Sequence, residues 1–231
     1  MEIKFAKATT NGNDFVIIEK AFFKQHKDCL TKIANRRFGI GCDQVIIVHK
    51  FSENEYEIEF YNQDGSHAAM CGNGTCAALK YLHERTIIKD QVNFLICGTK
   101  YKGKISDDYV SAEFPLPKRM LNFIDTGNKH KIFNMQDIKN IEELSKEHYE
   151  YNLHFIEYVN QRTIRMKTYE RGVGWTLACG SGAVAVAFNE GILGDIYIIH
   201  DGGNSTVNIS ENSAILKTDP KIIFDGIYYV E

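Results

Sequence analysis

The chain has 231 residues, 44% of them hydrophobic, and a formal net charge of −3, enough for one large domain or two of about 115 residues with sizeable cores. Its lysines are interleaved with glutamate and aspartate, which excludes the concentrated positive field of a nucleic-acid or polybasic membrane surface and leaves a small molecule as the expected ligand. The apolar runs are too short to cross a bilayer and the start Met1-Glu-Ile-Lys-Phe-Ala-Lys7 lacks the apolar stretch of a secretory signal, so a cytoplasmic location is expected.

That opening segment alternates polar and apolar as a strand does. Strand-like segments follow at Phe15 to Glu19, Val45 to His49 and Tyr56 to Tyr61. The alanine-rich run Thr75 to Leu82, apolar on nearly every side, predicts a buried helix, and Val92 to Cys97 reads as the next strand. The turn-prone Phe114-Pro-Leu-Pro-Lys118 marks a boundary. Beyond it, Ile138, Ile141 and Leu144 recur at helical spacing, predicting one surface helix over Asp137 to Tyr149. Strands are expected at Leu153 to Val159, Thr163 to Tyr169 and Ile196 to His200, with a second buried helix at Ala183 to Phe188. The last strand, Ile222 to Val230, is expected to return to the first half.

The two helical runs belong to an internal repeat. Tyr61-Asn-Gln-Asp-Gly-Ser-His-Ala-Ala-Met-Cys71-Gly-Asn-Gly lies over Tyr169-Glu-Arg-Gly-Val-Gly-Trp-Thr-Leu-Ala-Cys179-Gly-Ser-Gly with the same interval from Tyr to Cys. The expected fold class is therefore α/β (α+β), with two pseudo-symmetric halves, each a curled, mainly antiparallel sheet around a central buried helix. The halves are residues 1–117, carrying Cys71 and completed by a C-terminal strand at 220–231, and residues 118–219, carrying Cys179.

A cysteine immediately before Gly-x-Gly and a helix sits where free backbone N–H groups converge and the helix dipole is positive, conditions that favour thiolate. The glycines allow close approach of a bound group, and a carboxylate can take the N–H donors. Two such helix ends facing one cleft would clamp a substrate carboxylate with the adjacent carbon between two sulfurs. One thiolate would remove its proton while the opposite thiol delivers another. For the other four cysteines, Cys29, Cys42, Cys76 and Cys97, the reading is small apolar filler. No Cys or His pair has convincing zinc spacing, so no metal is expected. No cofactor is expected either, since no phosphate-binding loop or lysine signature points to pyridoxal phosphate.

At these residues the sequence resembles the diaminopimelate epimerase family of cofactor-independent, two-cysteine racemases. The motifs are Asn11-Gly-Asn-Asp-Phe15, Gly39-Ile-Gly-Cys-Asp-Gln-Val45, Asn62-Gln-Asp-Gly65, Met70-Cys-Gly-Asn-Gly74, Tyr169-Glu-Arg-Gly172 and Ala178-Cys-Gly-Ser-Gly182. The resemblance implies Cys71 and Cys179 as the acid and base of LL- to meso-diaminopimelate epimerisation, a step toward lysine and peptidoglycan. It also implies carboxylate binding at the reacting centre by the N–H groups of Gly72, Asn73, Gly180 and Ser181. By the same resemblance Asn13, Asn62, Asn128, Asn152, Glu170 and Arg171 hold the distal amino-acid end, with Gln44 in the active-site region. The partner set is a small-molecule substrate, without nucleic acid or membrane, and a homodimer is compatible with it.

The sequence departs from the family in several places. Gly174-Trp175-Thr176 stands where Gly-Glu-Thr is usual, Asn128-Lys129-His130 replaces Asn-Pro-His, Cys76 replaces Arg, Thr10 enters a glycine-rich turn, and the stretch between Lys118 and Tyr151 is short. These changes keep two other readings beside the first: a cofactor-independent racemase of histidine or an imino acid, and a catalytically silent amino-acid-binding relative. A thiol redox protein would keep its pair close in sequence, whereas Cys71 and Cys179 are 108 positions apart.

Overall fold

The alternation at the start of the chain becomes a strand that buries Ala6 and Ala8 on one face and Ile3 on the other, where it packs with Val16, Ile18 and Leu30. The computed structural model describes residues 2–23, 27–52, 55–85, 90–106 and 108–229. Its elements in chain order begin β1 (Glu2–Thr10), β2 (Asn13–Glu19), α1 (Lys27–Ala34), β3 (Gln44–Ser52), β4 (Glu55–Asn62), β5 (His67–Ala68), α2 (Gly72–Glu84), β6 (Gln91–Ile96), β7 (Thr99–Ile105) and β8 (Val110–Pro115). They continue with β9 (Lys118–Arg119), β10 (Ile124–Asp125), β11 (Lys129–Asn134), α3 (Ile141–Glu147), β12 (Asn152–Asn160), β13 (Thr163–Glu170) and β14 (Gly174–Thr176). The chain ends with α4 (Gly180–Asn189), β15 (Gly194–His200), β16 (Gly203–Ile209), β17 (Ser213–Thr218) and β18 (Lys221–Tyr229). Among the described residues no helix is long and apolar enough to cross a membrane.

The chain divides into two units, one of Met1–Ala112 with Asp219–Glu231, the other of Glu113–Thr218. In the first, β18 pairs with β1 and β1 with β2, both antiparallel. Strand β2 then runs parallel to β3, β3 antiparallel to β4, β4 parallel to β6, and β6 antiparallel to β7. Two short antiparallel rungs add β5 to β4. Helix α2 packs on β1, β2, β3, β4, β7 and β18. Its residues Gly72 to Leu79 are all buried, so the alanine-rich composition serves close contact with the sheet.

The second unit repeats the plan. Strand β10 is antiparallel to β11, β11 parallel to β12, β12 antiparallel to β13, β13 parallel to β15, and β15 antiparallel to β16. The short β14 adds to β13 as β5 does to β4. Helix α4, buried from Gly182 to Ala187, packs on β10, β11, β12, β16 and β17.

Two sequence expectations are corrected. Residues 137–149 are not one helix: a 3-10 segment, Met135–Asn140, precedes α3. Asn134 and Asp137 form a capping box that starts the 3-10 turns, and neither segment has a buried residue, so no core contact draws the two into one continuous helix. Cys97 is not apolar filler. It is exposed and has φ of 49°, followed by Gly98 at 75°, forming with it the two-residue turn of the β6–β7 hairpin.

Candidate active site

Cys71 is the N-cap of α2, with φ of −143° and ψ of 109°. Its sulfur accepts from the Gly74 N–H at 3.3 Å, while its carbonyl accepts from the Thr75 N–H at 2.8 Å. The Cys71 thiol faces Asn13 Oδ1 at 3.9 Å. Asn13 is oriented from behind, because its Nδ2 donates to Asp43 Oδ2 at 2.7 Å. A carboxylate only accepts, so the NH2 must face Asp43 and the carbonyl oxygen must face the sulfur. Asp43 is itself held by Arg36 at 2.7 Å, which also binds Asp14. Burial opposes the Asp14 charge, but Arg36 and Lys7 hold its pKa down to about 2.

The rest of this end of the unit is polar and tightly tied. Gln44 Nε2 donates to Asn62 Oδ1 at 3.0 Å, and Asn62 Nδ2 donates to Ser66 Oγ at 3.1 Å. Thr10, unexpected in its turn, is buried and donates to the Asn73 carbonyl at 3.1 Å, tying the β1–β2 turn to the first turn of α2. Asn73 is 1% exposed, and neither Oδ1 nor Nδ2 of its amide has a hydrogen-bond partner among the described residues; Gln44 Oε1 is in the same position. Buried orphans of this kind are rare and call for a ligand or water.

In the second unit Cys179 caps α4 with φ of −133° and ψ of 110°. It is buried, and its sulfur lies 3.6 Å from Ser181 Oγ. Beneath it His130 Nδ1 meets His154 Nε2 at 2.8 Å, with the outer nitrogens on Thr126 Oγ1 (2.9 Å) and Thr168 Oγ1 (3.1 Å). Both imidazoles are fully buried, and burial lowers the His130 pKa to about 3 and that of His154 well below its ordinary value. Donor atoms of His130, His154 and Cys179 all lie within 4.8 Å of one another.

The remaining residues lie at the start of β12, at and just after the end of β13, in β14, and in the turn before β11. Asn152 Oδ1 accepts the Arg171 N–H at 2.9 Å, and Glu170 Oε1 accepts from Thr176 Oγ1 at 2.7 Å. Arg171 is exposed. Trp175 is 49% exposed, its ring edge-on to Tyr169 at 5.4 Å and tilted against Phe155 at 5.8 Å. Asn128 lies in the turn that Gly127 opens with φ of 95°, and its carbonyl accepts from the Thr126 N–H at 3.0 Å.

Strand register makes these residues counterparts. Phe15 pairs with Gln44 and Gln44 with Asn62 in the first unit; His130 pairs with Asn152, and Leu153 with Tyr169, in the second. Asn13 thus corresponds to Asn128, Gln44 to Asn152, Asn62 to Glu170, and Cys71 to Cys179. The sequence motifs of the two halves are the same strand ends in two copies.

A sequence profile described as diaminopimelate epimerase matches residues 5–110 and 120–222. The chain belongs to the diaminopimelate epimerase family. It is an isomerase of the amino-acid epimerase and racemase type. It is 31% identical to the diaminopimelate epimerase of Clostridium perfringens, over 98% of this chain and 99% of that one. Among solved structures, a PhzF-family phenazine biosynthesis protein of Bacillus anthracis aligns over the whole of both chains with a TM-score of 0.79 at 12% identity. A hydroxyproline epimerase of Agrobacterium vitis, with bound trans-4-hydroxy-L-proline, gives 0.72 at 12% identity, over 98% of this chain and 92% of that one. At such identities these likenesses speak for the mixed α+β fold with its curled sheet.

Within this diaminopimelate epimerase relative, the motifs omit several residues that orient the site. Asp43 and Ser66 lie inside or beside quoted motifs, but nothing in their spacing shows that they hold Asn13 and Asn62. His154 and Thr168 lie in plain strand patterns and are visible only once the strands are in register.

Proposed function

We propose that this protein interconverts LL- and meso-2,6-diaminoheptanedioate by proton transfer between Cys71 and Cys179 without a cofactor. The observation that carries the reading is that each unit caps a buried helix with a cysteine and surrounds that end with register-equivalent polar residues. The helix N-termini supply backbone N–H groups for the carboxylate beside the reacting carbon, through Gly72 and Asn73 on one side and Gly180 and Ser181 on the other. The orphaned Asn73 amide supplies further donor and acceptor capacity there.

In the reaction a thiolate takes the α-proton, and the electron pair left on carbon spreads into the carboxylate, where the N–H groups stabilise it. The opposite thiol delivers its proton to the other face. The configuration inverts, and the two sulfurs exchange thiol and thiolate states. The distal end of the substrate is assigned to Asn13, Asn62, Asn128, Asn152, Glu170 and Arg171, with Gln44 bracing Asn62. Arg171 makes no ion pair among the described residues, which leaves its fork for a carboxylate.

The test is solvent deuterium incorporation at the α-carbon of LL- and meso-diaminopimelate by the intact protein and by Cys71→Ser and Cys179→Ser. Exchange and epimerisation should occur in the intact protein and fall on the order of a hundredfold or more in each variant. Absence of exchange in the intact protein overturns the substrate assignment. A second reading, racemisation of an imino acid, is favoured by Trp175 in β14, just before Cys179, and by the likeness to the hydroxyproline epimerase. Exchange on proline or hydroxyproline without exchange on diaminopimelate would select it.

A further inference from the structure

The two units differ beneath their cysteines. In the first unit the pad under the start of α2 is built from Phe15, Ile46 and Phe60, all fully buried. The register places His130, His154 and Thr168 at the corresponding positions of the second unit. One copy of the repeat fills the pad with apolar side chains, whereas under Cys179 two fully buried imidazoles take their places. Buried polar rings need partners, which here are each other, two threonine hydroxyls or a bound cation.

Their orientation is that of a ligand set. Each imidazole gives its outer nitrogen to a threonine hydroxyl, His130 Nε2 to Thr126 and His154 Nδ1 to Thr168. The inner nitrogens turn toward each other, and donor atoms of the two rings and Cys179 lie within 4.8 Å of one another. Metal-bound histidines characteristically have the second ring nitrogen held in this way, which fixes the tautomer.

From this juxtaposition we propose that His130, His154 and Cys179 bind a thiophilic divalent cation of the zinc class. Two imidazoles and a thiolate make a tridentate set with a fourth position open to water. Tetrahedral zinc, with Zn–N of about 2.0–2.1 Å and Zn–S of about 2.3 Å, sets nitrogens about 3.3 Å apart. The inner nitrogens, now 2.8 Å apart, part by about 0.5 Å to admit it. The proton between them moves to the outer nitrogen of whichever ring holds it, so that His130 donates to Thr126 and His154 donates to Thr168. Both rings stay neutral, and only the Cys179 thiol proton leaves, so one proton is released per cation bound. A cation there takes up the sulfur that the proposed epimerisation uses, although the binding itself does not depend on that reaction.

The test titrates the reduced full-length protein, in a Cys71→Ser, Cys97→Ser background, with cobalt(II) alone and then zinc(II) alone. Expected are one equivalent of cobalt with a sulfur-to-cobalt charge-transfer band and tetrahedral visible bands, release of one proton, and displacement by zinc. Cys179→Ser should abolish the charge-transfer band, His154→Gln should weaken binding, and Thr168→Val, which keeps the side-chain volume, should weaken it about 10- to 100-fold. Absence of a saturable band in the folded background protein, survival of the band in Cys179→Ser, or full affinity in both His154→Gln and Thr168→Val overturns the site. None of these readouts involves substrate, so failure here is separate from failure of the epimerase reading.

Discussion

A methyl group on Gly182 would meet Cε1 of His154 at 2.2 Å. The second glycine of Cys-Gly-Ser-Gly therefore makes room for a ring beneath the helix. The same holds for Gly74, whose added methyl would meet Phe60 Cε1 at 2.8 Å and Phe15 Cε1 at 3.2 Å. Elsewhere in a helix, glycine to alanine is worth up to about 1 kcal/mol of stabilisation. At Gly182 the overpacking reverses the sign, at about 1–3 kcal/mol. Gly182→Ala should lower the melting temperature by at least about 2 °C, and thermal unfolding by circular dichroism checks it. A rise would show that His154 moves aside freely.

Acid should destabilise the protein through its buried histidines. Burial lowers the pKa of His130 to about 3 and of His200 to about 4, and holds His154 well below its ordinary value of 6.5. Below about pH 6.5 the unfolded chain binds protons that the folded chain refuses, so the stability present above that pH is lost as pH falls toward about 4. Each group contributes a slope of up to about 1.4 kcal/mol per pH unit in that window. Urea unfolding from pH 7 to pH 4.5 should show the fall, and His200→Gln should make it shallower by about one proton. A flat profile would contradict the burial of neutral rings.

Asp43 should matter to turnover although it lies behind the amide that faces Cys71. Asp43→Ala removes the acceptor that turns the Asn13 carbonyl toward the sulfur. The α-proton exchange rate should fall on the order of tenfold to a hundredfold, since small misplacements at a reacting centre are expensive. Asp43→Asn can present its Oδ1 to the same NH2 and should recover part of the rate. Equal losses in the two variants would argue that charge, and not orientation, is what Asp43 supplies.

Trp175 is the single tryptophan, and it is half-exposed in β14, the short strand before α4. A substrate held by Glu170 and Arg171 should shield it, moving its emission to shorter wavelength and reducing quenching by acrylamide. Unchanged quenching at saturating diaminopimelate would place the distal end of the substrate elsewhere.

Much of this arrangement could be read from the chain alone because it is local. A Tyr-to-Cys interval repeated in two halves, followed by an alanine-rich run, is carried by consecutive residues and led directly to α2 and α4. The strands around Val45, Ile58 and Met166 follow from apolar runs or alternation. What escaped depends on residues far apart in sequence. His130 and His154 are 24 positions apart and pair only because β11 runs parallel to β12. Cys97 read as a strand residue because a Cys-Gly turn looks like the end of an apolar run, and positive φ leaves no mark in hydropathy. The 3-10 segment at Met135–Asn140 has helical spacing too, and neither it nor α3 has a buried face that would mark where one ends and the other begins.

The antiparallel pairing of β18 with β1 sets Tyr229 opposite Glu2. The second unit is therefore an insertion in the first, and during synthesis at the ribosome β1 waits with one hydrogen-bonding edge open while Glu113–Thr218 can already close on itself. The order of completion is thus inverted relative to the order of emergence, with the unit that starts first finishing last. A circular permutant joining Tyr229 to Glu2 by a short turn, and opening the chain at Asp219, would convert that late long-range pairing into a hairpin and remove the waiting edge.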